Sequence, residues 1–372
     1  MKLDLTNEAV DSRVAYSGGA NGTRVNSALA VVAASTPRTD RAALLVEEQR
    51  TNLITYSQDF SNAAWSKTGT PTVETAATLG DLSLDLLGDD NAAELEYFWR
   101  AVTYTGDGQK ALSFYVKQGT ATSSVFRMYD ASASATRAFG VITWDGSAPV
   151  VTMTTGTAEI EAMTGGVYRV KVVSSAITAA NTNSIEIFPA TNAALSATLT
   201  GTVYSGGVQP ENATASSSYI KTTTAAVTRT ADSATFAWTQ AEGTYAVEFD
   251  LLAVTGTRPI FSLDDASADN QIRLYANGTS LMLSVTTGGV ARDLTLGTVA
   301  ANTTYKAAFS IFANDVQALM NGGVLQTNFT AATSPIVTTA RIGSDQAGNY
   351  QNGHSKRIRQ WKTRKGLYQL VA

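Results

Sequence analysis

The chain has 372 residues, more than one hydrophobic core ordinarily serves, so two domains are the natural expectation. Hydrophobic residues make up 44% and charged residues only 16%, against roughly 25% in ordinary soluble domains, which gives ample core material under a polar, weakly charged surface. A net charge of −4, no cysteine and one histidine exclude broad attraction to nucleic acid, disulfides, thiolate metal sites and any two-histidine zinc centre.

Residues 1–50 are poor in aromatics and punctuated by Gly18-Gly19, Asn21-Gly22 and Pro37. No helical or strand period is sustained there. The expectation is an extended N-terminal arm that orders against a neighbour or against the first domain, or else a terminus without fixed structure. The first eight residues, Met1 to Glu8, lack an apolar signal core, and no run approaches the ~18 apolar residues of a membrane span.

Residues 51–232 read as short strands and turns. Val125-Phe126-Arg127-Met128-Tyr129 and Val167-Tyr168-Arg169-Val170-Lys171-Val172 alternate with period two, as half-buried strands do. Ala111–Val116, Ser184–Phe188 and Gly201–Ser205 add further strands, separated by turn clusters such as Thr105-Gly106-Asp107-Gly108 and Trp144-Asp145-Gly146-Ser147. Residues 233–372 repeat the rhythm: Tyr245, Val247, Phe249 and Leu251 share one face of a strand, and Asn321-Gly322-Gly323 marks a hairpin. Many short strands with almost no helix predict an all-β protein of two antiparallel, jelly-roll-like sandwiches. The Ala/Ser/Thr-rich stretch 213–235 is the natural boundary between them.

The run Leu44-Leu45-Val46-Glu47-Glu48-Gln49-Arg50-Thr51-Asn52-Leu53, continuing through Ser57, Phe60 and Trp65 to Lys67, resembles a block found in phage and prophage head-fibre, tail-fibre and decoration-type structural proteins. In those proteins the block opens a carbohydrate-binding-module-like jelly roll. Thr36-Pro37-Arg38 upstream, and Gly206-Gly207-Val208-Gln209-Pro210-Glu211 with Ser217-Ser218-Tyr219-Ile220 downstream, are similar to the family's flanking segments. Residues 233–372 resemble, through their strand rhythm and the ending Asn352-Gly353…Arg357-Ile358-Arg359-Gln360-Trp361, the concanavalin A/laminin-G-like sandwiches that often follow. The resemblance implies a bacteriophage virion protein: a fibre, spike or decoration subunit, exposed on the particle and attached to capsid or tail by the arm. It also implies a homo-oligomer of the trimeric kind usual for phage fibres. Arg38, Glu47, Glu48 and Arg50 are the expected attachment or junction residues, and Leu53, Phe60 and Trp65 the expected core anchors. The alternative is a host-receptor adhesin that binds cell-surface polysaccharide, and beyond it a depolymerase.

Enzyme signatures are weak, so no catalytic residue is expected. His354 has no Gly-x-Ser-x-Gly elbow to serve, and reads as a strand histidine. Glu248 and Asp250 lie on one strand face, but the third acid of a laminarinase-type pattern is replaced by Ala253; Glu159 and Glu161 form a similar pair. No cofactor is expected, although the oxygen-rich loops Asp89-Asp90-Asn91 and Asp264-Asp265 with Asp269-Asn270 could take calcium. Sugar contact points to Tyr97 and Trp99, which share a strand face, and to Trp144 with Asp145; core packing is the competing reading for the aromatics. The basic run Lys356, Arg357, Arg359, Lys362, Arg364, Lys365 reads as a charged edge, or as a contact for an anionic polymer or acidic neighbour.

Overall fold

The computed structural model describes residues 2–5, 13–18, 20–25, 31–33, 39–40, 43–146, 148–330 and 333–372. Strand accounts for 53% of it and helix for 2%, so the fold is all-β. Two compact units are present: one formed by residues 21–33 with 50–229, the other by residues 1–20, 34–49 and 230–372. Among the described residues no helix is long and apolar enough to cross a membrane.

The 50–229 unit is built on two six-stranded antiparallel sheets. The front sheet runs Val150–Thr155, Ala135–Thr143, Ser123–Asp130, Asn183–Phe188, Tyr97–Val102, Ser66–Thr68. The back sheet runs Thr157–Ala162, Val167–Val173, Ala111–Gln118, Gly201–Glu211, Leu82–Asp89, Thr72–Leu79. Period-two alternation sends Phe98, Phe126, Met128, Ile185 and Ile187 from the front, and Leu112, Phe114, Val170 and Val172 from the back, into one core. The outer face of the back sheet carries a second apolar cluster containing Leu82, Leu84, Tyr115 and Tyr219. The short strands Thr23–Val25 and Val31–Ala33 add Val25 and Val31 to it.

The jelly-roll block has a physical basis. Phe60 and Trp65 are 0% and 2% exposed and stack at 4.3 Å, with Phe98 edge-on to Phe60. Asn52 is buried and donates through Nδ2 to the carbonyls of Val208 (3.1 Å) and Ile220 (2.9 Å). Ser57 Oγ meets Tyr219 Oη at 2.6 Å, and Gln209 Oε1 accepts from Ile220 N–H at 2.5 Å. The two motif halves, far apart in sequence, therefore close one hydrogen-bonded seam. Gly207 takes φ +60° where the Gly201–Glu211 strand slips register, and a Cβ there would press on Leu82 and Tyr115 at 2.8 Å.

The other unit pairs an eight-stranded with a seven-stranded sheet around a core of Tyr245, Val247, Phe249, Phe261, Leu274, Leu283, Phe309 and Ile358, all at most 2% exposed. Here the expected division at 1–50, 51–232 and 233–372 is corrected. Lys2–Asp4 and Ala43–Val46 both pair with Gly353–Trp361, and Ala15–Ser17 pairs with Ser233–Ala237. Leu3, Leu5, Leu44 and Val46 are fully buried in this core. The described pieces of 1–50 are thus strands of the sandwiches rather than a separate arm. Three- and four-residue strands are too short to show a period, which is why the sequence pattern hides them.

Candidate functional site

In the 50–229 unit, the back sheet's outer face carries the Tyr115 cluster, and the front sheet's outer face carries a smaller buried cluster of Val125, Phe139 and Phe188 beside a half-buried aromatic and polar surface. Because Phe98 faces the core, its neighbours Tyr97 and Trp99 face out. The register sets them in cross-strand rows. One row is Thr68, Tyr97, Phe188, Val125, Val141; the next is Ser66, Trp99, Glu186, Arg127, Phe139; a third contains Ala101, Ser184 and Tyr129.

Each row has a rigid centre. Phe188 and Val125 are at most 1% exposed, and Tyr97 stacks on Phe188 with ring centroids 4.4 Å apart. Arg127 Nε donates to Glu186 Oε2 at 2.5 Å, and its guanidinium lies 4.4 Å from the Tyr129 ring centre and 5.7 Å from that of Phe188. Glu186 is only 5% exposed and also accepts from Ser184 Oγ at 3.3 Å. Tyr97, Trp99, Arg127 and Tyr129 remain half-buried. The hydroxyls of Tyr97 and Tyr129 and the indole N–H of Trp99 have no hydrogen-bond partner among the described residues. The face therefore combines aromatic surface held by packing, three polar tips open to an incoming group, and an ion pair that fixes a charged donor among them. Such a surface can stack a sugar ring and hydrogen-bond its hydroxyls.

The other expected residues lie elsewhere. Trp144 is corrected from a ligand contact to a core residue: it is 5% exposed and packs in the jelly-roll core, while Asp145 beside it is exposed. Glu47 is 2% exposed, and its N–H donates to Asp232 Oδ2 at 2.9 Å. Glu48 Oε1 accepts from Asn352 Nδ2 at 2.8 Å and lies 3.6 Å from Arg258. Arg50 sits opposite Arg229 in a two-stranded ladder. These junction residues hold their own units together. Arg38, with the Thr36-Pro37 before it, lies outside the described residues.

The carboxylate pairs are engaged. Glu248 faces Arg357 at 4.0 Å, and Asp250 is bound by His354 Nδ1 at 2.7 Å and Lys356 Nζ at 3.3 Å. Burial alone would raise the Asp250 pKa, but the His354 bond and the His354 and Lys356 charges outweigh it and hold the carboxyl below its ordinary range. A glycosidase acid needs the opposite shift. Glu161 pairs with Lys171 at 2.7 Å. In the oxygen-rich loop, Asp264 is held by Arg341 at 2.7 Å, and Asp265 accepts from Ser267 and Asn270, which is turn chemistry. Among the described residues no three His, Asp or Glu side chains converge on one metal position.

Sequence reasoning reached Tyr97 and Trp99 but missed Arg127, Tyr129 and Glu186. Their strands alternate visibly, so the polar face was readable. Which strands lie side by side was not.

No family model matches the chain, and no curated protein matches it. Among solved structures, the Ruminococcus gnavus IT-sialidase CBM40 has a TM-score of 0.31 at 14% identity, over 36% of this chain and 82% of that one. A heptameric SAP-like pentraxin from Limulus polyphemus has a TM-score of 0.30 at 13% identity, over 36% of this chain and 70% of that one. Domains LG4-5 of the mouse laminin alpha1 chain have a TM-score of 0.25 at 11% identity, over 68% of this chain and 82% of that one. At such scores these likenesses bear on no functional question, and the all-β sandwich assignment rests on the strand pairing above.

Proposed function

We propose that this chain is a non-catalytic surface protein of a bacteriophage particle, a fibre, spike or decoration subunit on capsid or tail, whose jelly-roll unit contacts host saccharide. The particle role is supported by the block from Leu44 to Lys67 and its partner Gly206 to Ile220, whose buried residues close the seam described above. The saccharide role rests on one observation: Tyr97, Trp99 and Tyr129 surround the Arg127–Glu186 pair, and their polar tips have no hydrogen-bond partner among the described residues. An acid held by a cation and three aromatic rings make a recognition surface and supply no nucleophile.

Glycan-array binding of the whole chain against host polysaccharides tests the saccharide role. Trp99→Ala should abolish the array signal of neutral saccharides while leaving the melting temperature unchanged within error, since Trp99 lies outside the core. A flat array for the unaltered chain would sink this role. Proteomic detection of the chain in purified particles, with surface immunogold labelling, tests the particle role independently.

A further inference from the structure

The outer face of the eight-stranded sheet in the other unit carries a groove of about 200 Å³. Its origin is the alternation of two adjacent strands. On Gly353–Trp361, Ile358 points into the core, so Arg357, Arg359 and Trp361 point out. On the neighbouring Gly243–Phe249 strand, Tyr245 and Val247 are core residues, so the small Ala246 and the acid Glu248 face out. Ala246 stands opposite Arg359, and Glu248 stands between Arg357 on one side and Lys306 on the other. A small residue in the middle of a row of long ones leaves a trough, and the short helix Tyr368–Val371 lies along it.

The lining is cationic and under-satisfied. Arg357, Arg359 and Lys306 share the lining with the acid Glu248, which is 4.0 Å from Arg357. Lys306 Nζ donates to the Ala372 carbonyl at 2.7 Å. The next strand sets Asp4 opposite Arg357 and Lys2 opposite Arg359. Among the described residues the Arg357 side chain has only the Glu248 ion pair, and the Arg359 side chain has no hydrogen bond or ion pair. The Arg357 side chain is 43% exposed and Arg359 is half-buried, so the terminal N–H groups of two guanidiniums on one sheet face are open to an acceptor from outside. Beside them, Trp361 is half-buried and offers ring surface.

We infer that this groove binds an acidic sugar residue, a pyranose carrying a carboxylate, as a terminal or branch unit of a polysaccharide. The carboxylate lies against the Arg357 and Arg359 donors, and the sugar ring packs on Trp361. The groove is smaller than the ~300–1,000 Å³ of drug-sized pockets, which matches one ring rather than a long oligomer. The site uses none of the residues of the jelly-roll face and stands without that reading.

Isothermal titration of the whole chain carrying Trp99→Ala, beside the unaltered chain, with a uronic-acid tetrasaccharide, a neutral glucan tetrasaccharide, a sulfated neutral tetrasaccharide and an acidic hexapeptide tests it, the substitution removing the jelly-roll contribution. The uronate should bind at least tenfold tighter than the other three and weaken as salt is raised. Arg359→Gln should cost at least tenfold, and Arg359→Lys several-fold because the planar fork is lost. Trp361→Ala should weaken binding similarly. Equal affinity for the neutral sugar, a preference for sulfate or peptide, or indifference to both Arg359 variants with an intact melting temperature would each overturn the assignment. Uronate binding present in the unaltered chain but lost in the Trp99→Ala background would transfer the ligand to the jelly-roll face and overturn it too.

Discussion

Asp89 is 2% exposed and sits beside Glu96, which is fully buried. The Glu96 oxygens are taken by the Thr70 N–H and hydroxyl and by the Asp90 N–H, whereas Asp89 Oδ2 is buried with no hydrogen-bond partner among the described residues. Burial, reinforced by the Glu96 charge and opposed by backbone N–H bonds, pushes Asp89 up to about 6 from an ordinary 3.8. The folded chain thus holds a proton there over a range in which the unfolded chain has released it. The stability this contributes is complete below pH 3.8 and lost as pH rises through about 6. Asp89→Asn keeps the shape without the charge. Its urea midpoint relative to the unaltered chain should therefore climb between pH 4 and 7; a difference that stays constant across that range would refute the assignment. The same scale shows what a sequence can disclose. Asn52, Ser57, Gln209 and Tyr219 stand out as a pattern because each has a bond only it can make in the seam. Trp144 and Trp99 look alike in sequence, yet one is core and the other faces out, since facing depends on the sheet partner.

At the scale of elements, long alternating strands were legible and short ones were not. Val167–Val173 and Ser123–Asp130 match their expected positions because seven or eight residues are enough to show a period of two. Ala43–Val46 is buried at all four positions, has no alternation, and so reads as part of an arm. Its pairing with Gly353–Trp361 makes it an interior strand of the eight-stranded sheet. Leu44 is fully buried in that core, so Leu44→Ala should cost about 2–5 kcal/mol, the range for deleting a buried leucine side chain. An arm residue would cost almost nothing. Chemical denaturation, followed by a probe within this unit such as a fluorescent label near residue 290, separates the two outcomes. The Arg127–Glu186 pair was illegible for the related reason that its strands are separated by more than fifty residues, |i−j| = 59, and only the fold makes them neighbours.

At the scale of the molecule, strand and turn rhythm was enough for the all-β class and chain length for two units, but neither told which residues belong to which. The 230–372 unit completes its sheets with residues from 1–20 and 34–49, so its core is discontinuous in sequence. Cutting at the apparent linker after residue 232 would leave the strand Gly353–Trp361 without its partners Lys2–Asp4 and Ala43–Val46. It would also remove Leu3, Leu5, Leu44 and Val46 from a core in which all four are fully buried. An exposed edge beside missing core volume favours aggregation over folding. A fragment of residues 233–372 should therefore lack a cooperative thermal transition and should sediment as aggregate. Residues 21–229 retain both jelly-roll sheets and the cover given by Val25 and by Val31, and should melt cooperatively alone. Adding a synthetic peptide of residues 34–49 to the first fragment should recover part of its solubility, because strand Ala43–Val46 can then pair again. If 233–372 instead melts as sharply as the whole chain, the N-terminal strands are dispensable, and the arm reading of residues 1–50 regains its place.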